Sequence, residues 1–358
     1  DPCMGSGHIL VYAFDVFMGI YESEGWNSRY AAVSVLQNNL YGLDIDKRAY
    51  QLSYFALMMK ARQYNRRILT PNNEEERVKP NVFEIKESNN IYRDLLTGTS
   101  VNQQAKDDFT SLLNQMYDAK EYGSLLEVKP IDFDNLRLAL QNQELAMFDT
   151  VIKEDIIPLI DCAKLLSRQY DVVVTNPPYM GSSGMDKKLS DYVKKNYPNT
   201  KSDMSTIMME KSLSICKQYG FMSMINIPVW MFISSYEQMR KDIVLKNNII
   251  NMIHLGRGIF GSDFGTTSFV IQKNDTKNYQ ALYLRLFDKQ GSVESIETKE
   301  KLFKKKFGKH YAKKEIFDEI PSSPIAYWIS NGFVNAFKKG RPLSPVCKPA
   351  QGLATGDN

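Results

Sequence analysis

Asn176-Pro177-Pro178-Tyr179 follows directly on the apolar run Tyr170-Asp171-Val172-Val173-Val174-Thr175. The run reads as a buried strand, and the tetrapeptide as a rigid, aromatic-tipped turn at its end. Asn176 offers a side-chain carbonyl. Pro177 offers a backbone carbonyl that the fixed φ of its ring holds in place. Two adjacent acceptors select an amino group over a carbonyl oxygen. They suit an exocyclic NH2 whose lone pair is delocalised into a ring, because they draw that nitrogen toward tetrahedral geometry. Tyr179 supplies a flat face on which such a ring can stack. Preorganised dipoles and in-line placement then carry the rate without a general base of matched pKa. The plainer reading of the same residues, Pro178 included, is a proline-stiffened strand end.

A second signal stands far upstream, in Asp1-Pro2-Cys3-Met4-Gly5-Ser6-Gly7. Gly5 and Gly7 let the backbone turn tightly and approach a ligand without a Cβ clash. The helix predicted to begin near His8 points its first amides at the same place. A dinucleotide site asks for G-x-G-x-x-G and a pyrophosphate. Here Asp1 and Pro2 open the loop, and a carboxylate at that point repels phosphate and suits a cationic ligand. The amino group and sulfonium of S-adenosylmethionine meet that preference, with Asp1 the candidate partner of the methionine amino end.

Asp44 ends the short strand predicted over 40–46, where an acidic residue accepts hydrogen bonds from ribose hydroxyls. Ile45 would pack on the adenine face. Asp46 competes for the ribose, but strand alternation turns it away, and its reading is the N-cap of the helix from Lys47. Beyond the strand at 81–85, Glu87, Ser88 and Asn89 are placed to touch the adenine amino group, with Asp132-Phe133 as the alternative.

These residues require strands that end together. Helical spacing of Ile9, Leu10, Tyr12, Ala13, Val16 and Phe17 marks a helix after Gly7, and further helices are expected over 29–38, 47–62, 203–218 and 235–245. Strands are expected near 40–46, 81–85, 171–175, 220–226, 249–255, 266–272 and 282–287. Alternating strands and helices predict an α/β fold, a Rossmann-like sheet with helices on both faces. Such sheets bind ligands at the carboxyl ends of their strands, where Asp1, Asp44 and Asn176 all fall. The expected organisation is a cofactor-binding half over 1–88, a helical insertion over 89–165, a catalytic and target-base half over 166–290, and a basic linker over 291–358 leading toward a target-recognition domain.

The net charge of +4 over 358 residues permits nucleic-acid binding without arguing for it. The basic excess is local: Lys301, Lys304, Lys305, Lys306, Lys309, Lys313 and Lys314 crowd one stretch, read either as a solvated surface or as phosphate contacts. Cys3, Cys162, Cys216 and Cys347 contain no CxxC pair, and His8, His254 and His310 share no ligand spacing, so no metal site and a reducing, cytoplasmic compartment are expected. No signal peptide or bilayer-spanning run is visible. The chain opens on Asp1 with no strand feeding the glycine loop, and residues 351–358 read as the opening of another segment, so a fragment is expected.

The order of these motifs resembles that of the amino-methyltransferases that modify DNA, in the class whose cofactor loop precedes Asn-Pro-Pro-Tyr. More specifically, the chain resembles the PglX-like adenine methyltransferases of BREX phage-defence systems. The matching stretches are Asp1-Pro-Cys-Met-Gly-Ser-Gly-His-Ile-Leu-Val-Tyr, Asn39-Leu-Tyr-Gly-Leu-Asp-Ile-Asp, Phe55-Ala-Leu-Met-Met-Lys-Ala-Arg-Gln-Tyr, Asn176-Pro-Pro-Tyr-Met-Gly-Ser-Ser and Ser323-Pro-Ile-Ala-Tyr-Trp. The resemblance implies S-adenosylmethionine as cofactor and adenine N6 of a flipped base as methyl acceptor. It implies double-stranded DNA and other defence-system proteins as partners. It also implies that Phe260, in Leu255-Gly-Arg-Gly-Ile-Phe-Gly, contacts the base opposite Tyr179, with Phe264 its competitor. Methylation of RNA or of a protein glutamine by the same turn, and a non-catalytic cofactor- or DNA-binding module, are the alternative functions.

Overall fold

The computed structural model describes residues 1–70, 77–260, 264–289, 291–341, 343 and 345–347. Gly261 of the Phe260 motif and the terminal stretch 351–358 lie outside these residues. The strands among them are β1 (Tyr41–Asp44), β2 (Asn81–Glu84), β3 (Tyr170–Thr175), β4 (Cys216–Asn226), β5 (Asn248–Arg257), β6 (Gly265–Gln272), β7 (Gln280–Arg285) and β8 (Lys309–Lys313). The chain divides into two units, one of Asp1–Ile227 with Thr267–Asn274, the other of Pro228–Thr266 with Asp275–Asn358. The division falls inside the segment 166–290 that the sequence suggested would be a single half.

In the first unit β1 and β2 run parallel, with Leu43 opposite Phe83. Helices α1 (His8–Ser23), α2 (Ser28–Ser34) and α3 (Lys47–Tyr64) cover one face, where Leu10, Phe14, Ala31, Leu57 and Ala61 share a core with Val82. Gly42 lets the helices approach closely on that face: a Cβ there would stand 2.6 Å from Met4 Sδ and 2.7 Å from Leu10 Cδ1, so both side chains would have to shift.

The other face is closed by α4 (Gln103–Gln115), α5 (Phe133–Ala139) and α6 (Ile157–Leu166), whose Phe109, Leu112, Leu136, Leu159 and Ile160 pack with Leu43 and Ile85. In α4, Asn102 caps the helix by accepting from the Ala105 amide at 2.8 Å, and Ala105, Phe109, Leu112 and Leu113 recur at i, i+4, i+7 and i+8. The stretch 89–165, expected as an insertion, is therefore the helical layer of the sheet's second face. Its apolar faces were visible in the sequence, but what they face was not.

Also in the first unit, β4 pairs parallel with β3 and antiparallel with the Thr267–Gln272 part of β6. The sheet is mixed; α7 (Lys187–Asn196) and α8 (Met204–Ile215) lie between β3 and β4 in the chain, and α8 packs against both strands. Val173 and Thr175 of β3 are buried, but Val172 is 55% exposed. The strand was expected to be buried throughout; its pairing among the described residues is with β4 alone, and only alternate side chains reach the core.

The second unit carries β5 parallel to β7, and β8 antiparallel to β7. The stretch 291–358, expected as a basic linker, supplies β8 and the helix Ile296–Lys304. Part of its lysine excess is structural. Lys314 is buried and donates to Asp275 at 2.6 Å and to the Asn247 carbonyl at 3.2 Å, and buried Lys299 donates to the Leu255 carbonyl at 2.7 Å. Fully buried Arg240 donates to the carbonyls of Trp230, Ile233 and Ser322 at 2.6 to 3.2 Å, tying the turn after Pro228 to the 322 loop. Among the described residues no helix is long and apolar enough to cross a membrane.

Candidate active site

The glycine loop, the end of β1 and the end of β3 meet in the first unit. Gly5 and Gly7 adopt φ of +53° and +85°, the left-handed region that favours glycine. Gly7 also lies against α3, where an added Cβ would stand 2.5 Å from Ser53 Oγ. Asp44 fixes the loop from the strand side: one carboxylate oxygen accepts from the Gly5 amide and the other from the Asp46 amide, both at 2.9 Å. Each oxygen keeps a further lone pair for a hydroxyl. Asp46 caps α3 by accepting from the Arg48 and Ala49 amides, which hold its carboxyl below the usual range. Ile45 is 54% exposed, an unusual place for isoleucine at a strand end and a ready surface for a flat ring.

Asp1 joins this loop to the Asn-Pro-Pro-Tyr turn. Its backbone pairs with β1 through Tyr41 and Leu43, and its Oδ1 accepts from the Cys3 amide at 3.1 Å and from Thr175 Oγ1 at 2.8 Å. Thr175 is the residue immediately before Asn176. The second oxygen, Oδ2, is buried and has no hydrogen-bond partner among the described residues. A buried carboxylate oxygen left unpaired costs free energy until a donor reaches it. Buried Pro2 is held from the other side, its carbonyl accepting from Ser124 Oγ.

In the turn itself Asn176 is exposed, Pro177 buried, Pro178 exposed and Tyr179 half-buried. The Tyr179 hydroxyl stands 2.9 Å from Asn176 Oδ1 and 3.2 Å from the Ile225 carbonyl, so its single proton serves one or the other. Burial first, and then the charge of Asp203, pushes the phenol up to about 12. The hydroxyl thus stays a donor and orients the amide, whose oxygen retains a second lone pair for an incoming amine. Asp203 is itself buried at the start of α8, and Gly181 bridges to it just beyond the turn.

The expected adenine contacts are placed elsewhere. The Ser88 hydroxyl is turned inward onto the Leu113 carbonyl at 2.5 Å, and Asn89 is paired with Asp118 through both its amide nitrogen and its oxygen. Both brace the loop to the helical layer. Asp132 caps α5 and Phe133 lies in the core. The residues beside Ile45 and Pro2 are instead Gly123 and Ser124, where a Cβ on Gly123 would meet Ile45 at 3.1 Å. Only Gly123, breaking a helical pattern, hinted at this in the sequence. Phe260 and Phe264 belong to the second unit and carry rings 49% and 40% exposed.

Parallel strands covered by helices, with a glycine loop, an acidic strand end and an Asn-Pro-Pro-Tyr turn at their carboxyl ends, form a methyltransferase domain. The chain belongs to the Eco57I restriction-modification methylase family, which it matches over residues 38–260. It is 36% identical to the adenine-specific methyltransferase PglX of Lacticaseibacillus casei (strain Zhang), over all of this chain and 30% of that protein. It is 34% identical to the adenine-specific methyltransferase BrxX of Escherichia coli O9:H4 (strain HS), over 95% of this chain and 30% of that protein. The chain thus spans about 30% of the length of these relatives. The same fold occurs in a nuclease-deletion mutant of the Type ISP restriction-modification enzyme LlaGI in complex with a DNA substrate mimic. There the TM-score is 0.56 at 12% identity, covering 94% of this chain and 25% of that one. It occurs also in a type I restriction-modification assembly, with a TM-score of 0.51 at 14% identity over 97% of this chain and 56% of that one.

Proposed function

We propose that this protein is a DNA adenine-N6 methyltransferase of a phage-defence or restriction-modification system, with S-adenosylmethionine as donor and a flipped adenine as acceptor. The observation that carries this reading is the Thr175–Asp1 hydrogen bond, which sets the cationic-ligand loop and the amine-binding turn on one strand end. The residues fit the cofactor. Asp1 Oδ2 is a buried acceptor awaiting a donor, Asp44 has lone pairs for ribose hydroxyls, and exposed Ile45 beside Gly123 offers a surface for adenine. Bound there, the cofactor supplies an electrophilic methyl on a positively charged sulfur.

The chain's own residues do the rest. Asn176 Oδ1 and the Pro177 carbonyl accept the two hydrogens of the amine and pull its nitrogen toward tetrahedral geometry. Tyr179 orients the amide through its hydroxyl and gives the base a face to stack on. The DNA substrate mimic bound by LlaGI and the adenine-specific names of the relatives support the substrate. Work on DNA and four unpaired cysteines agree with a cytoplasmic location.

The test is transfer of label from S-adenosylmethionine to DNA, with and without other proteins of the system. Label on adenine N6 that is lost in Asn176→Ala, with binding of S-adenosylhomocysteine retained, supports the proposal. Cofactor binding without transfer to any DNA overturns it.

A further inference from the structure

The second unit contains a cavity of about 640 Å³ that the methyl-transfer chemistry does not use. It lies at the carboxyl ends of the parallel strands β5 and β7, between Phe232, His254, Arg257, Arg285, Phe287 and Trp328. Its volume falls within the range of small-molecule sites, and its position is the one where open α/β sheets take ligands.

The walls have two chemistries. Phe232 and Trp328 are adjacent rings, 5.7 Å apart and 37% and 40% exposed, so each keeps a face for a planar partner. Against them stands Arg285. Its guanidinium lies 4.6 Å from the Phe287 ring centre and 5.7 Å from that of Trp328. Its Nε is buried and has no hydrogen-bond partner, and among the described residues it has no carboxylate partner. Arg257 shares the cavity. Nearby Glu294 is already engaged by Lys299 at 3.2 Å and by Ser292. The positive surroundings are felt by His254, which burial first, and then Arg285 and Lys299, hold down at about 4. His254 is therefore neutral, and Arg285 is the charge that the cavity offers.

A guanidinium with its Nε buried and no carboxylate partner among the described residues calls for an anion, and arginine is the side chain that matches phosphate geometry. Half-exposed rings beside it call for a flat, aromatic group. We infer that this cavity binds a nucleoside phosphate, its base against Phe232 and Trp328 and its phosphate on Arg285 and Arg257. The ligand has two sources, a free mononucleotide or a nucleotide of a DNA strand. The inference stands on the cavity itself and does not depend on the methyl-transfer reading.

The probe is thymidine 5′-monophosphate, titrated by tryptophan fluorescence and calorimetry with saturating S-adenosylhomocysteine present, so that the cofactor site takes no part. Saturable quenching is expected, at least about tenfold tighter than for thymidine or inorganic phosphate alone. Arg285→Gln should weaken binding by about tenfold or more, and Arg285→Lys by less, since it keeps the charge but loses the planar fork. Trp328→Phe should remove most of the quenching and leave the affinity within about threefold. An oligonucleotide of twelve deoxythymidines separates the sources. If it binds and Arg285→Gln lowers its salt slope by about one, the site takes a strand. If it is indifferent to Arg285→Gln while the mononucleotide is not, the ligand is free. Asn176→Ala should leave all of this unchanged, so loss of methyl transfer and failure of this site are read separately. Absence of saturable mononucleotide binding with oligonucleotide binding unaffected by Arg285→Gln overturns the inference. So does equal binding by the parent protein and a folded Arg285→Gln variant.

Discussion

Gly7→Ala tests the geometry on which the cofactor loop rests. The residue has φ of +85°, and a Cβ there would stand 2.5 Å from Ser53 Oγ, 3.0 Å from Ser53 Cβ and 3.1 Å from Ser53 Cα. Two costs add. Holding an alanine in the left-handed region costs about 1–2 kcal/mol. Overpacking against α3 costs about 1–3 kcal/mol more, because the backbone of Ser53 cannot swing aside as a side-chain tip can. The sum, about 2–5 kcal/mol, raises the unfolded population roughly 30-fold to several thousandfold.

The steric part has a specific remedy. Ser53→Ala removes the closest atom, and the Ser53 hydroxyl is buried with no partner among the described residues, so that change alone should be close to neutral. In the Gly7→Ala background it should restore about 1 kcal/mol or more, leaving the backbone strain behind. Urea unfolding followed by circular dichroism gives the four stabilities, and calorimetry with S-adenosylhomocysteine reports whether the loop itself moves. A cost of Gly7→Ala below about 0.5 kcal/mol, or strict additivity with Ser53→Ala, would show that the loop does not press on α3 as described.

Asp44→Ala removes the acceptor of the Gly5 and Asp46 amides and should weaken S-adenosylhomocysteine binding by about tenfold or more, whereas Asp46→Ala, which uncaps α3, should lower the melting temperature and leave affinity within about threefold. Equal losses of affinity would remove Asp44 from the ribose role. Tyr179→Phe keeps the ring but frees Asn176 Oδ1; turnover should fall about tenfold at constant cofactor affinity, and further in Tyr179→Ala. An unchanged rate in Tyr179→Phe would show that the hydroxyl does not orient the amide. His254 is held neutral at about 4 in the folded state against an ordinary 6.5, so unfolding takes up a proton between these values. Stability should therefore fall as pH drops from about 6.5 toward 4, by up to about 1.4 kcal/mol per pH unit, and His254→Gln should flatten that slope in urea titrations.

The candidate residues could be picked out because each depends on a local rule. Left-handed turns demand Gly5 and Gly7, a strand-ending carboxylate marks Asp44, and proline stiffening marks the turn at 176–179. Capping by Asp46 followed from its position before α3. Strand–helix alternation sufficed for the fold class because period 2 and period 3.6 are written in nearest neighbours.

What only the tertiary structure decided are contacts between residues far apart in sequence. Ser88 and Asn89 stood at the right distance after β2, but their side chains found partners in Leu113 and Asp118, and Gly123 and Ser124 took the place beside Ile45 and Pro2. The helices of 89–165 proved to cover the sheet, since an apolar stripe states that a face is buried without naming what buries it. Lys299 and Lys314 became interior ligands for carbonyls and carboxylates, and Arg285 stands among rings with no carboxylate partner among the described residues. Local spacing determines which residues can do chemistry. Which of them keep a free lone pair or an unbalanced charge depends on partners that only folding brings within hydrogen-bond reach.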